Sequence, residues 1–126
     1  MTDLSYVLDA GAFLALERGD QVMTRYSRQF VEENIPTATS AGVVAQVWRG
    51  GAHRQVPVAF LLRRTDVVDL TDLEARNVGK LLGLSGTSDP VDAHIALIAR
   101  SRGWPVLTSD AGDLRALDRT LELYDI

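Results

Sequence analysis

The chain contains no cysteine, which excludes disulfides, thiolate metal sites and cysteine nucleophiles. Lysine is nearly absent, with Lys80 alone among 13 basic residues. Chemistry that needs a lysine beside a phosphate therefore has a single candidate, and it lies inside an expected helix. No stretch approaches the roughly 20 apolar residues of a membrane span. No basic region followed by an apolar segment opens the chain, so no secretory signal is expected and a cytoplasmic location is the default. Positive charge is in deficit, with a formal net charge of −4. A simple electrostatic nucleic-acid binder would be basic, so contact with nucleic acid has to run through a local patch or a bound cation. There is no glycine-rich phosphate loop with a following lysine, and no serine stands in a recognisable nucleophile motif. The two histidines, His53 and His94, are isolated. His94 falls about 200° around its helix from Asp92, so it reads as a packing or surface residue.

What is present is an ordinary globular composition: 126 residues, 46% apolar and 24% charged. That suffices for one domain, 1–126, with a sizeable core. Strand and helix patterns alternate along the whole length. Tyr6-Val7-Leu8 is a short apolar run ending at Asp9, followed by the small residues Ala10-Gly11-Ala12 and a helix with Phe13, Leu14 and Leu16 on its apolar face. Residues 21–33 have helical spacing at Val22, Met23, Tyr26, Phe30 and Val31. Residues 35–39 read as a short strand. Ser40 caps a helix that runs to about Gly50, with Val43, Val44, Val47 and Trp48 facing inward and Gln46 and Arg49 sharing another face. A short helix at 56–62 precedes a strand around Val67-Val68. Thr71 caps a helix to about Leu84, with Glu74 completing a capping box and Leu73, Val78, Leu81 and Leu82 as its apolar positions. Residues 105–108 suit an interior parallel strand, and Leu121, Leu123 and Tyr124 suggest a last one. The pattern predicts an α/β fold with a mostly parallel sheet and helices on both faces.

The stretch from Ser85 to Leu114 organises the rest. Asp89 precedes Pro90, which fits the first position of a helix. Residues 91–99 are mostly apolar, and Gly103 ends the helix. The next strand ends at Ser109-Asp110, and Gly112-Asp113 open another helix. Asp9, Asp89, Asp92, Asp110 and Asp113 thus stand at strand ends or helix starts, where open α/β sheets bind ligands. Each alone reads equally well as a helix cap or a surface charge. Gathered together, the carboxylates repel, and a hard cation such as Mg²⁺ or Mn²⁺ relieves them. Such an ion can polarise a phosphodiester and activate water.

The opening VLDAGAFLAL, the central SAGVVAQVWRGG and the late DPVDAHIALIAR followed by VLTSD resemble the PIN domain, and within it the VapC-type toxin ribonucleases of type II toxin–antitoxin modules. The resemblance covers almost the whole chain. It implies a three-layer α/β/α sandwich and a Mg²⁺- or Mn²⁺-dependent endoribonuclease whose metal ligands and catalytic acids are Asp9, Asp92 and Asp110. Asp113 matches a more variable acid, Thr108 or Ser109 a polar residue near the site, and Asp89 stays a candidate by its spacing. One departure stands out. The family's glutamate in the central helix is Gln46 here, which keeps a carbonyl oxygen and loses the charge. Arg49 is a candidate to contact substrate phosphate or pair with a carboxylate, and Arg54, Arg63 and Arg64 are further candidates for the RNA backbone. The resemblance also implies a VapB-type antitoxin, for which residues 21–33 and 41–50 are docking candidates, and a homodimer. The alternative is a weakened PIN-like module that holds RNA or antitoxin without cutting. A receiver-like phosphoryl-transfer domain also gathers acids, but it needs a lysine near the site.

Overall fold

A computed structural model describes residues 4–126. Five short strands, β1 (Tyr6–Leu8), β2 (Thr37–Ser40), β3 (Thr65–Val68), β4 (Val106–Thr108) and β5 (Leu123–Asp125), form one sheet in the order β3-β2-β1-β4-β5. Every pairing is parallel, and parallel strands require crossover connections. Seven helices among the described residues supply them: α1 (Ala10–Glu17), α2 (Gln21–Glu32), α3 (Ala41–Val47), α4 (Val56–Arg63), α5 (Asp72–Ser85), α6 (Pro90–Arg102) and α7 (Ala111–Leu117). No described helix is long and apolar enough to cross a membrane.

The layering follows from the strand order. The chain steps from β1 to β2 to β3 in one direction, so right-handed crossovers put α1–α4 on one face. It then returns past β2 and β1 to β4 and continues to β5, which puts α5–α7 on the other face. Accordingly α1 packs against α2, α3 and α4, while α5, α6 and α7 pack against one another. The central strands are buried from both sides, with Val7, Leu8, Val106 and Leu107 fully inaccessible. Helix α6 lies across β1 and β2 and buries Ala93, His94, Ile95, Ala96, Ile98 and Ala99. That is why residues 91–99 are so apolar.

Local signals set most boundaries. Asp89 Oδ1 accepts the N–H groups of Val91 (2.9 Å) and Asp92 (3.1 Å), Pro90 opens α6, and Gly103 closes it at φ +67°. Helix α3 departs from expectation, stopping at Val47 instead of near Gly50. The cause is Gln55, a buried residue far from the helix start. Its Nε2 donates to the Val47 carbonyl (2.6 Å) and its Oε1 accepts the Arg49 N–H (2.7 Å). These bonds replace the ones a continuing helix would make. Arg49 therefore lies outside the helix and does not share a helical face with Gln46, and Trp48 is 40% exposed instead of facing the core. Leu73, expected among the apolar positions of α5, is also exposed. The Thr71–Glu74 capping box is half formed. Thr71 Oγ1 accepts the Glu74 N–H (3.1 Å), but the Glu74 carboxylate leans toward His94 Nε2, 3.8 Å away.

Candidate functional site

The sheet order creates a switch point. The chain leaves β1 toward β2 on one side and later fills the other side with β4, and ligands bind outside the carboxyl ends of strands at such a point. Asp9 follows β1 and Asp110 follows β4, so they flank this crevice. The register pairs Leu8 with Leu107 and so sets Asp9 beside Thr108. Asp9 is 4% exposed. Its Oδ1 accepts the N–H of Ala12 (3.0 Å), capping α1, and its Oδ2 accepts the Thr108 hydroxyl (2.5 Å). Thr108 Oγ1 in turn accepts the Asp110 N–H (2.8 Å). One hydroxyl thereby ties both strand-end aspartates. Burial pushes the Asp9 carboxyl above its usual range, the bonds from Thr108 and Ala12 work against this, and the charge of Asp110 adds to the rise.

Asp92 faces the same crevice from the first turn of α6. Its pKa is pushed up to about 6, first by burial and then by the charges of Asp89, Asp9, Asp110 and Asp113. All five candidate acids therefore share one electrostatic neighbourhood. Asp89, Asp92 and Asp113 line a cleft of about 210 Å³ with Thr87, Ser88 and Leu117. Asp110, unlike Asp9 and Asp89, spends no carboxylate oxygen on capping its helix. A hydrogen bond shared with Asp113 is the main cause of its raised pKa, followed by burial and the Asp113 charge. Asp9 and Asp89 are thus helix caps and members of the cluster at once.

Ser109 enters the crevice through a notch. A Cβ on Gly11 would lie 1.9 Å from Ser109 Oγ and 3.0 Å from Ser109 Cβ, with Asp9 Oδ1 at 3.3 Å. A Cβ here would displace the Ser109 hydroxyl and press on Ser109 Cβ and Asp9 Oδ1. On helix propensity, Gly11→Ala would stabilise α1 by about 1 kcal/mol. The overlap reverses that sign, because overpacking typically costs about 1–3 kcal/mol. Thermal melts are expected to show Gly11→Ala below wild type and the added change Ser109→Gly restoring it.

Other candidates lie elsewhere. Arg49 Nη1 donates to the carbonyls of Trp48 (2.7 Å) and Ala45 (3.3 Å). Among the described residues it forms no ion pair with a carboxylate, so of its two expected roles the carboxylate pairing is not made. Gln46 is exposed on α3. His94 is wholly buried, with Nδ1 2.6 Å from Ser40 Oγ. Ser40 Oγ already accepts the Gly42 N–H (3.0 Å), and burial lowers the imidazole pKa. Ser40 Oγ and His94 Nδ1 share this hydrogen bond, and His94 Nε2 has no hydrogen-bond partner. This serine–histidine pair spans 54 positions and left no local signal in sequence. Ser40 is inaccessible, so the pair anchors α6 to the start of α3 and is no nucleophile. Sequence reasoning also missed Asp125, whose charge raises the pKa of Asp110. Its position after the last strand run was the available signal.

The donor set suits a hard cation: every group is an oxygen, and none of the five acids has a cationic partner among the described residues. Direct three-ligand coordination is not preformed, because no described group of three carboxylates or imidazoles is arranged to hold a metal ion. Asp9, Asp92 and Asp110, with Asp89 and Asp113, are the residues that would hold one, and magnesium commonly keeps several waters and few direct carboxylates.

Comparison with known proteins places the fold. No curated protein sequence matches the chain significantly. Among solved structures, VapBC2 from Rickettsia felis, bound to a promoter DNA fragment, is similar at TM-score 0.72 and 17% identity, covering 98% of this chain and 99% of that one. A toxin–antitoxin complex from Klebsiella pneumoniae follows at 0.69 and 16%, covering 96% and 99%. DNA-bound VapBC from Salmonella typhimurium is similar at 0.67 and 20%, covering 97% and 98%. At these identities the likeness establishes the fold. PIN domains in general are nucleases that depend on divalent metal. Residues 6–119 match the model of the PIN domain, so this chain belongs to the PIN domain family.

Proposed function

We propose that the chain is a metal-dependent endoribonuclease that acts as the toxin of a toxin–antitoxin module in the cytoplasm. The observation that carries this is the set of five carboxylates, without cationic partners among the described residues, around the β1/β4 switch point. A bound Mg²⁺ or Mn²⁺ would polarise the phosphodiester and lower the pKa of an attacking water. The chain's own residues do the rest. Asp9, fixed by Ala12 and Thr108, is the rigid acid. Asp92 and Asp110 approach from two other elements, the exposed Asp113 can adjust, and Asp89 keeps Oδ2 beside its capping bonds. Ser109 Oγ, seated in the Gly11 notch, offers a hydroxyl to a phosphate oxygen at the same rim.

Partner binding has its own support. A groove of about 380 Å³ along α2 and α4 is lined by Leu16, Val31, Pro57 and Phe60, with Arg28 at its edge. It suits an apolar segment of an antitoxin carrying an acidic group. Leu73 and Leu84 on α5 are 69% and 87% exposed and offer surface for a second copy of the chain.

The deciding experiment is cleavage of a structured RNA pool by the purified protein with Mg²⁺, with Mn²⁺ and with chelator. Metal-dependent cutting that Asp9→Asn removes is expected. Equal cutting in chelator, or by the variant, overturns the metal assignment. Gln46 favours a second reading, a binding module with weakened catalysis, because the position lacks the family's charge. Under that reading Gln46→Glu tightens Mn²⁺ binding in calorimetry by about tenfold and creates or raises activity. An unchanged affinity and rate rule it out.

A further inference from the structure

We propose that the loop from Val47 to Gln55 is a contact surface for single-stranded RNA, built around Trp48, Arg49 and Arg54. The identity of the ligand as RNA rests on the function proposed above.

Charge segregation is the first observation. The chain has 17 acidic residues, yet none lies between Asn34 and Thr65, a stretch that holds Arg49, Arg54, Arg63, Arg64 and His53. Arg49 and Arg54 therefore stand in the longest acid-free stretch of an acidic chain, and Glu17, the acid that the loop contacts, is engaged by Gln55 Nε2; local positive charge of this kind is what nucleic-acid contact uses.

The second observation is that the loop is rigid. Gln55 is 5% exposed. Its Oε1 accepts the N–H of Arg49 and of Gly51 (3.2 Å), and its Nε2 donates to Val47 O and to Glu17 Oε2 (3.0 Å). One side chain thus holds four groups and welds the loop to the end of α1. The backbone it holds is unusual: Gly50, Gly51 and the non-glycine His53 all have positive φ, at +102°, +76° and +56°. A left-handed non-glycine residue costs roughly 1–2 kcal/mol, and such strain persists only where the surroundings over-determine it.

The third observation is what this scaffold presents. The Trp48 ring covers Gly51 so closely that a Cβ there would come within 2.4 Å of it. The indole is thereby fixed while 40% of the residue stays exposed. Arg49 and Arg54, on the same loop, are exposed, and among the described residues neither forms an ion pair. A fixed aromatic face beside guanidinium groups is the combination that stacks an unpaired base and holds its phosphates. A duplex hides its base faces and offers nothing for Trp48 to stack on.

The test uses the full chain with chelator present, so that no cleavage intrudes. The probe is a fluorescein-labelled 12-nucleotide single-stranded RNA of mixed sequence, followed by anisotropy and by tryptophan fluorescence across a salt series. Quenching is expected in wild type, together with roughly tenfold weaker binding by Trp48→Ala and partial recovery in Trp48→Phe. Because each phosphate contact on a single strand contributes about 0.7 to the salt slope, Arg49→Ala with Arg54→Ala is expected to reduce it by about 1.4. Melting temperatures of the arginine variants stay at the wild-type value, and Trp48→Phe, which keeps an aromatic ring over Gly51, separates lost stacking from lost packing in Trp48→Ala. Unchanged affinity in the variants, no binding by wild type, equal binding of the same sequence as a duplex, or equal quenching by polyglutamate each overturns the proposal. Cleavage with Mg²⁺ is scored separately. Cleavage with no dependence on Trp48 or the two arginines removes the surface and leaves the nuclease. Binding through them without cleavage removes the nuclease and leaves the surface.

Discussion

Asp92→Asn is expected to abolish metal-dependent cleavage, by at least about 10²–10³-fold, and at the same time to raise the melting temperature of the metal-free protein at pH 7. The two effects have one cause. The Asp92 carboxyl is pushed up to about 6 by burial and by the charges of four neighbouring acids. Its ordinary value is 3.8, so the folded state binds the proton more tightly than the unfolded state does. Stability from this group is then greatest below about pH 4 and is lost as pH rises through 6. Asp9 and Asp110 are shifted in the same direction and reinforce the trend. Asparagine is neutral at every pH, so its advantage over wild type grows between pH 4 and 7 and vanishes near pH 4. A divalent cation reverses the order. It stabilises the wild type by mass action and leaves the variant unmoved. Thermal melts at pH 4, 5, 6 and 7, with and without Mn²⁺, give the full set. A variant that melts below wild type in chelator at pH 7 would mean that the acids are not in unrelieved repulsion.

Gln55→Ala is expected to be the most destabilising substitution of a polar residue in the chain. It removes the acceptor for the Arg49 and Gly51 N–H groups and the donors to Val47 O and Glu17. Each buried group left without a partner costs about 1–3 kcal/mol. Water reaches the partly buried Arg49 and Gly51 groups, so the loss is about 3 kcal/mol in total, a fall of roughly 10 °C for a domain of this size. Relaxation of the loop also frees Trp48, so a red shift and broadening of its fluorescence accompany the lost stability. Gln55→Glu separates the contributions: it keeps the acceptor but loses the donor and sets a second carboxylate against Glu17. It is expected to fall between wild type and Gln55→Ala at pH 5 and toward Gln55→Ala at pH 8. Equal stability of all three proteins would mean that Gln55 does not hold the loop.

The sequence alone determined the alternation of strands and helices, the ends of α6, and the five aspartates as a set. These are local properties. A proline after a capping aspartate, a glycine past the last helical turn and an apolar run of strand length each act within a few residues. The same range explains the failures. The end of α3 is set by Gln55, eight positions beyond Val47, and the pattern of apolar residues through Trp48 continued to read as helix. His94 read as a packing or surface residue and is fully buried, but its partner Ser40, 54 positions away, was not legible. Gln46 and Arg49 lost their common face once the helix ended between them.

The tertiary structure decided the rest. Asp9 and Thr108 are 99 positions apart and meet because β1 and β4 are neighbours in the sheet, which no local pattern specifies. The Gly11 notch is likewise empty in the sequence and filled by Ser109 in the fold. The pKa of Asp92 is a property of the assembled rim, since charge interaction depends on distance through space and not along the chain. The chain's local chemistry thus chose which residues carry charge and where helices begin. Strand order and helix packing decided which of those charges face each other.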